Sequence, residues 1–572
     1  MTVILLLFVV VTTAFASLAD VMRYFAQLRP IDVFHGLAIP PLNGSSCVAA
    51  ESAQWLGVAQ FAVMVFWPFE AMRALAQVRE DCAMKFVLLA DALAFNRGYA
   101  QAEQDAIRLA TEWPSPSELE RLRVQLLGVS KRSAVRFDQL MRQALEGAWA
   151  DDVELLELLW IKKLTVRSMR SAGRPSPVDR ALAFELLERI GQRERDLSLP
   201  LRLAYAHYRI HAYDDTLEPQ KALAAADFLL DSTVPHLLHM AGHIYYMLGS
   251  HAAACDAFHA ARVADEAYML RASVEPANNW NSLHNLAFDV LGLVFAGRYA
   301  DALTAAHRVA SMRLEDTVEP EPLPFSADES RAFGRWMFQG FPAIARVHWA
   351  FGRFEQCAAA MRSSFFRARE IEQLHDSNQH FSTLASFLAL YCEGMAHVTA
   401  EQPRLEAANQ VLANATSAMH ALEECNCVLS RLPGRGLDVV RVHFAELSAA
   451  VSFVHGSMAE ANEMFARALS LERGAVVTEP PMFSRSVVQT HVALLLRAPV
   501  GDLMLAERLC NEQLALPPFE NGFVIALAAR VAEARGERHA ARALWASLLE
   551  TWSHADEALD EMRAAMKSEL RR

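Results

Sequence analysis

The chain has 572 residues, 53% of them hydrophobic, with 23 glycines and 23 prolines, which excludes a disordered or collagen-like polypeptide. Lys and Arg total 54 against 67 Asp and Glu, a formal net charge of -13. This argues against nucleic acid as a partner, because phosphate binding needs a basic face.

The first element is an uncharged, mostly apolar run from Val3 to Phe15, followed by Ala14-Phe15-Ala16 as an A-x-A cleavage pattern. Residues 1–19 are expected to be a signal peptide, which places the protein in the secretory pathway or outside the cell; the alternatives are an uncleaved N-terminal anchor or an apolar first helix. A second uncharged run, Ser52 to Phe69, is long enough for a membrane span, but Gln54, Gln60 and Pro68 interrupt it. It reads as a buried helix, so no integral membrane domain is expected beyond the N-terminal segment.

The rest is helical. Apolar residues recur at three- and four-residue spacing, as in Asp151–Ser168 and Arg180–Ile190, and strand-like alternation is nearly absent. Proline-rich breaks fall at 113–116, 173–177, 315–330, 432–436 and 479–481. The acidic, three-proline stretch 315–330 reads as a linker between helical regions 20–314 and 331–572. The eight cysteines are scattered without a C-x-x-C. They read as buried thiols in helix packing, not as a disulfide framework or a zinc ribbon.

Gly249, Gly297, Gly352, Gly456 and Gly536 share one context. Five residues on stands a small residue: Ala254, Ala302, Cys357, Ala461 or Ala541. Nine on is often large and apolar, as in Phe258, Met361, Phe465 and Trp545. This pattern resembles the tetratricopeptide repeat (TPR), in which the glycine ends the first helix and the small residue lets the second pack closely. The resemblance implies an all-α, TPR-like α-solenoid of stacked antiparallel helix pairs. In its register His207, His211 and Asp214, then His236, His239, His243 and Tyr246, then His284, lie on the concave faces of three helices, and Arg346 and Trp349 follow in a later repeat.

The spacing has meaning without the register. His207 and His211 are four apart, and His236, His239 and His243 are i, i+3 and i+7, so each set shares a helix face. Paired imidazoles beside a carboxylate are a donor set for copper, iron or zinc. A metal-free polar pocket and purely structural histidines are the competing readings of the same residues.

Four segments carry a narrower resemblance: Asp81-Cys82-Ala83-Met84, His207-Tyr208-Arg209-Ile210-His211-Ala212, His239-Met240-Ala241-Gly242-His243-Ile244-Tyr245 and His284-Asn285. They are similar to the DCAM, HYxIHAxE, HMPxHIY and HN motifs of a mainly bacterial TPR family with no settled general activity. Asp214 stands for the usual Glu and Ala241 for the usual Pro. Val65-Phe66-Trp67-Pro68 stands where the family has GFNH, so that motif's histidine is missing.

No G-x-S-x-G, Walker A, dinucleotide fingerprint or H-E-x-x-H is present. Two functions are therefore expected. One is a TPR-type binding protein whose concave groove takes a protein, peptide or small ligand, with Tyr246, Arg346 and Trp349 as contacts. The other is a metal-dependent enzyme or metal carrier that uses His207, His211, Asp214, His236, His239, His243 and His284.

Overall fold

The computed structural model describes residues 17–28, 34, 37–42, 44–94, 100–130, 133–146, 153–171, 176–274, 276, 279–311, 340, 342–374, 381–424, 436–474, 485–498 and 501–569. Among the described residues 26 α-helices pack closely and no strand occurs, so the all-α class holds. The expected linker 315–330 lies outside them, as does the leader except at its end: Leu18 and Ala19 open a helix, Leu18–Gln27, that buries Val21 and Phe25.

Several prolines start helices. Pro68, Pro177, Pro200 and Pro235 each occupy a first turn, where the missing N–H has no intrahelical partner to lose. The uncharged run 52–69 resolves into a buried helix, Ala50–Met64, a turn, and the next helix, Pro68–Gln77. Among the described residues no helix is long and apolar enough to cross a membrane.

The five register glycines make one turn five times. Each has a positive φ, between 66° and 89°. After each, the next amide reaches back to a carbonyl of the preceding helix: Ser250 to Tyr245, Arg298 to Leu293, Arg353 to His348, Ser457 to Ser452 and Glu537 to Ala532, at 2.8–3.2 Å. This is the Schellman ending, whose left-handed residue is cheap only for glycine. The small residue five positions on is buried in all five cases. A sixth turn of the same type ends Ala50–Met64, where Trp67 N donates to Ala62 O at 2.8 Å, but its left-handed residue is Phe66, with φ 57°.

Contacts also join parts of the chain far apart in sequence. Trp552 Nε1 donates to Phe295 O at 2.7 Å, Asp556 N to Gly297 O at 3.1 Å, and Phe519 N to Met247 O at 3.1 Å. Near the N-terminus, Tyr268 Oη donates to buried Glu70 at 2.5 Å, and Arg73 donates to Ala272 O at 3.1 Å. The middle helices are thus clasped from both sides.

The cysteine expectation is corrected. Cys47 bonds to Cys82 and Cys357 to Cys392, with Cα atoms 5.4 and 5.9 Å apart, while Cys255 and Cys510 are buried thiols. Each bonded pair is separated by 35 residues, and only helix packing brings the partners together. The Asp81-Cys82-Ala83-Met84 motif is accordingly structural. Cys82 carries the bond, Met84 N donates to Glu120 at 3.0 Å, and Asp81 pairs with Lys85 at 2.9 Å.

Two outcomes follow from this packing. A methyl group at Gly456 meets nothing within 4 Å, whereas at Gly249 it stands 2.5 Å from Phe519 O. Gly456→Ala should therefore cost only the left-handed backbone penalty of about 1–2 kcal/mol, and Gly249→Ala roughly 1–3 kcal/mol more, as read by urea denaturation. Peptide mapping without reductant should recover the 47–82 and 357–392 cross-links. Cys255, whose thiol burial pushes up to about 12, should resist alkylation until the protein is unfolded.

Candidate metal centre

Three helices carry the histidines. Leu199–Tyr213 supplies His207 and His211, Pro235–Met247 supplies His236, His239 and His243, and Trp280–Phe295 supplies His284. The middle helix touches both others. Gly242 of the middle helix admits the Phe258 ring of the following helix, His251–Ala272, because a Cβ there would stand 2.4 Å from that ring.

The six rings form a continuous array that divides into two triads. His207, His211 and His236 offer ligand nitrogens within 4.8 Å of one another, and so do His239, His243 and His284. In the first triad the Nε2 atoms of His207 and His211 are 3.0 Å apart; in the second those of His239 and His243 are 2.8 Å apart. Nitrogens held about 2.0–2.1 Å from one ion in a three- or four-donor site stand about 3.3–3.6 Å from each other, so each pair sits at hydrogen-bonding distance and would have to open by about half an ångström to hold one ion. His236 and His239 join the triads, nearly parallel with ring centres 5.8 Å apart.

The outward ring atoms settle which nitrogen is offered. His207 Nδ1 donates to Met64 O at 3.1 Å, and His236 Nδ1 faces Asn281 Oδ1 at 3.3 Å. His243 Nδ1 faces the Asp214 carboxylate at 3.6 Å. An oxygen acceptor demands the proton on Nδ1, which leaves the Nε2 lone pair for the interior; metal-binding histidines are oriented in this way by outer partners. His239 Nδ1 is enclosed and has no hydrogen-bonding partner among the described residues.

All six imidazoles are buried, His207 and His239 completely. Phe66 covers the first triad, with its centre 4.7–5.4 Å from those of His207, His211 and His236. Phe288 covers the second, 4.6–5.0 Å from His239, His243 and His284. Burial holds His207, His236, His239 and His243 well below the usual imidazole range and brings His211 to about 4. These rings are neutral at pH 7, the form that ligates metal.

The expected open concave face is thus replaced by an enclosure. The turn after Ala50–Met64 brings Met64 O and Phe66 onto the histidines, and nothing in the spacing of residues 207–284 announces that arrival. Phe66, from the segment Val65-Phe66-Trp67-Pro68, is the aromatic ring that borders the first triad. Sequence reasoning also missed the support behind His284. Neighbouring Asn285 donates to buried Asp265 at 3.0 Å, and Asn279 donates to the same carboxyl at 2.6 Å. Burial raises Asp265 to about 7. The quoted His284-Asn285 pair was the available signal.

The other expected contacts lie apart from this centre. Tyr246 packs against Phe295, with centres 5.0 Å apart, and contributes to neither triad. Arg346 and Trp349 line a separate cavity of about 70 Å3 with Tyr391, His443 and the Cys357–Cys392 bond. There Trp349 Nε1 donates to Tyr391 Oη at 3.1 Å, and Tyr391 donates to Glu446 at 2.8 Å. Burial lowers Arg346 to about 10.

Comparison with models of known protein families and with curated proteins finds no match to this chain.

The depressed histidines have a pH signature. Between the unfolded value of His211, 6.5, and its folded value of about 4, the unfolded chain binds the extra proton. Its contribution to stability is therefore complete above pH 6.5 and is lost as the pH falls toward 4. His211→Asn abolishes that loss. In the metal-free protein its stability relative to the unaltered chain should improve by about 2 kcal/mol between pH 7.5 and pH 5, measured by urea denaturation at both values.

Proposed function

We propose that this protein is a helical-repeat metalloprotein. In this reading the helix pairs form a TPR-like α-solenoid of the kind found in the family with the HYxIHAxE, HMPxHIY and HN motifs. Its middle repeats build a centre for transition-metal ions (copper, iron or zinc) that serves a metal-dependent enzyme or a metal carrier. One observation carries the proposal: two sets of three histidines, each with its nitrogens within 4.8 Å of one another, buried together. The outward hydrogen bonds of His207 and His236, and Asp214 beside His243, support it because they orient the rings before any ion arrives. The two disulfides support an oxidising location, in keeping with a leader at residues 1–19.

A binding role has its own support in the cavity beside Arg346 and Trp349, whose mostly apolar walls and buried Trp349–Tyr391–Glu446 chain suit a small ligand with an apolar body. This role is compatible with the metal centre.

Metal analysis of the untagged protein tests the main reading. Stoichiometric transition metal is expected in the unaltered chain and its loss in the His207→Ala/His243→Ala double variant, with helix content followed by circular dichroism. A protein that purifies without metal and takes up none of the three ions on dialysis would overturn it.

A further inference from the structure

Six imidazoles bring no negative charge to the centre, and this property separates the candidate ions. Nearby carboxylates are already engaged. Asp289 accepts from Arg262 Nε at 2.8 Å, and Asp265 is held by Asn279 and Asn285. Asp214 faces His243 at 3.6 Å. The first triad has a positive neighbour instead: Lys162 Nζ lies 5.6 Å from the centre of the Phe66 ring that covers the three imidazoles.

The cost of taking an ion out of water grows with the square of its charge, so a divalent ion costs about fourfold more than a univalent ion of equal size. Two divalent ions would place four positive charges in this enclosure, and each would need an accompanying anion. Phe66, Phe258 and Phe288 pack directly against the imidazoles, so aromatic edges and faces occupy the surroundings such anions would require. Copper(I) halves the charge. It has a filled d shell, imposes no four- or six-donor geometry, and is satisfied by three nitrogens. The triads share no residue, so each set of three serves its own ion.

We propose that the centre takes two copper(I) ions in preference to divalent metals, one on His207, His211 and His236 and one on His239, His243 and His284. This rests on the reading of these histidines as a metal centre.

The test is an anaerobic titration of the full chain with copper(I) against a coloured copper(I) chelator, repeated with zinc(II) present at equal concentration. The protein should withdraw two equivalents of copper from the chelator, and zinc should displace neither. His211→Asn and His284→Asn, checked for helix content, should each withdraw one equivalent. Retention of two zinc ions with copper left on the chelator would overturn the choice of ion and leave the metal centre standing. One equivalent for the unaltered chain, abolished by either substitution, would overturn the pairing. Failure to hold either metal would overturn this inference and the metal-centre reading together. Should a variant not fold, the equivalents taken by the unaltered chain decide.

Discussion

An imidazole removed from water must find partners for two ring nitrogens, and here six such rings are removed from water together. The middle of the molecule is organised around that demand. His207 and His236 turn their Nδ1 atoms outward to oxygen acceptors, and His243 turns its own toward Asp214. The Nε2 atoms of His207 and His211, and of His239 and His243, then face one another across 2.8–3.0 Å, each pair within one helix. Neutral nitrogens so close together share a proton, one ring of each pair donating to the other. The enclosure that makes the rings neutral also keeps them in the protonation state that metal binding requires.

Helix geometry supplies the positions. Within a helix, residues four apart stack on one face, which brings His207 to His211 and His239 to His243. Between helices the distance is set by what the interface tolerates, and at Gly242 the absent side chain admits the Phe258 ring. The glycine turns at 249 and 297 then send the chain back in the same way each time, so the histidine helices emerge as neighbours. Residues 519, 552 and 556 bond to the ends of two of those helices, and a buried Glu70–Tyr268 contact anchors the N-terminal helices against them.

Phe66 shows how the enclosure is completed. It takes a left-handed conformation that costs a non-glycine residue about 1–2 kcal/mol, at a turn that five other helix ends assign to glycine. Glycine there would leave the first triad without its aromatic cover. The cavity at Arg346 and Trp349 is a separate feature of the C-terminal helices, closed by its own disulfide and polar chain. Among the described residues the two assemblies differ in chemistry, one composed of imidazoles and one built on a tryptophan–tyrosine–carboxylate chain.

Much of this is local and could be read from residue order alone. Helical class follows from three- and four-residue periodicity. The five turns follow from a glycine with a small residue five positions later. The grouping of His207 with His211, and of His236 with His239 and His243, follows from helical spacing. What depended on distant parts of the chain could not be read. The division of six histidines into two triads depends on how three helices cross. The arrival of Met64 and Phe66 over the first triad depends on the docking of a helix more than a hundred residues earlier. The disulfides join cysteines whose 35-residue spacing matches no short motif. Local spacing determined which imidazoles share a helix face; tertiary packing decided that they would be buried, paired and closed off, because burial depends on every element that covers a residue and a residue's own neighbours in sequence are few of those.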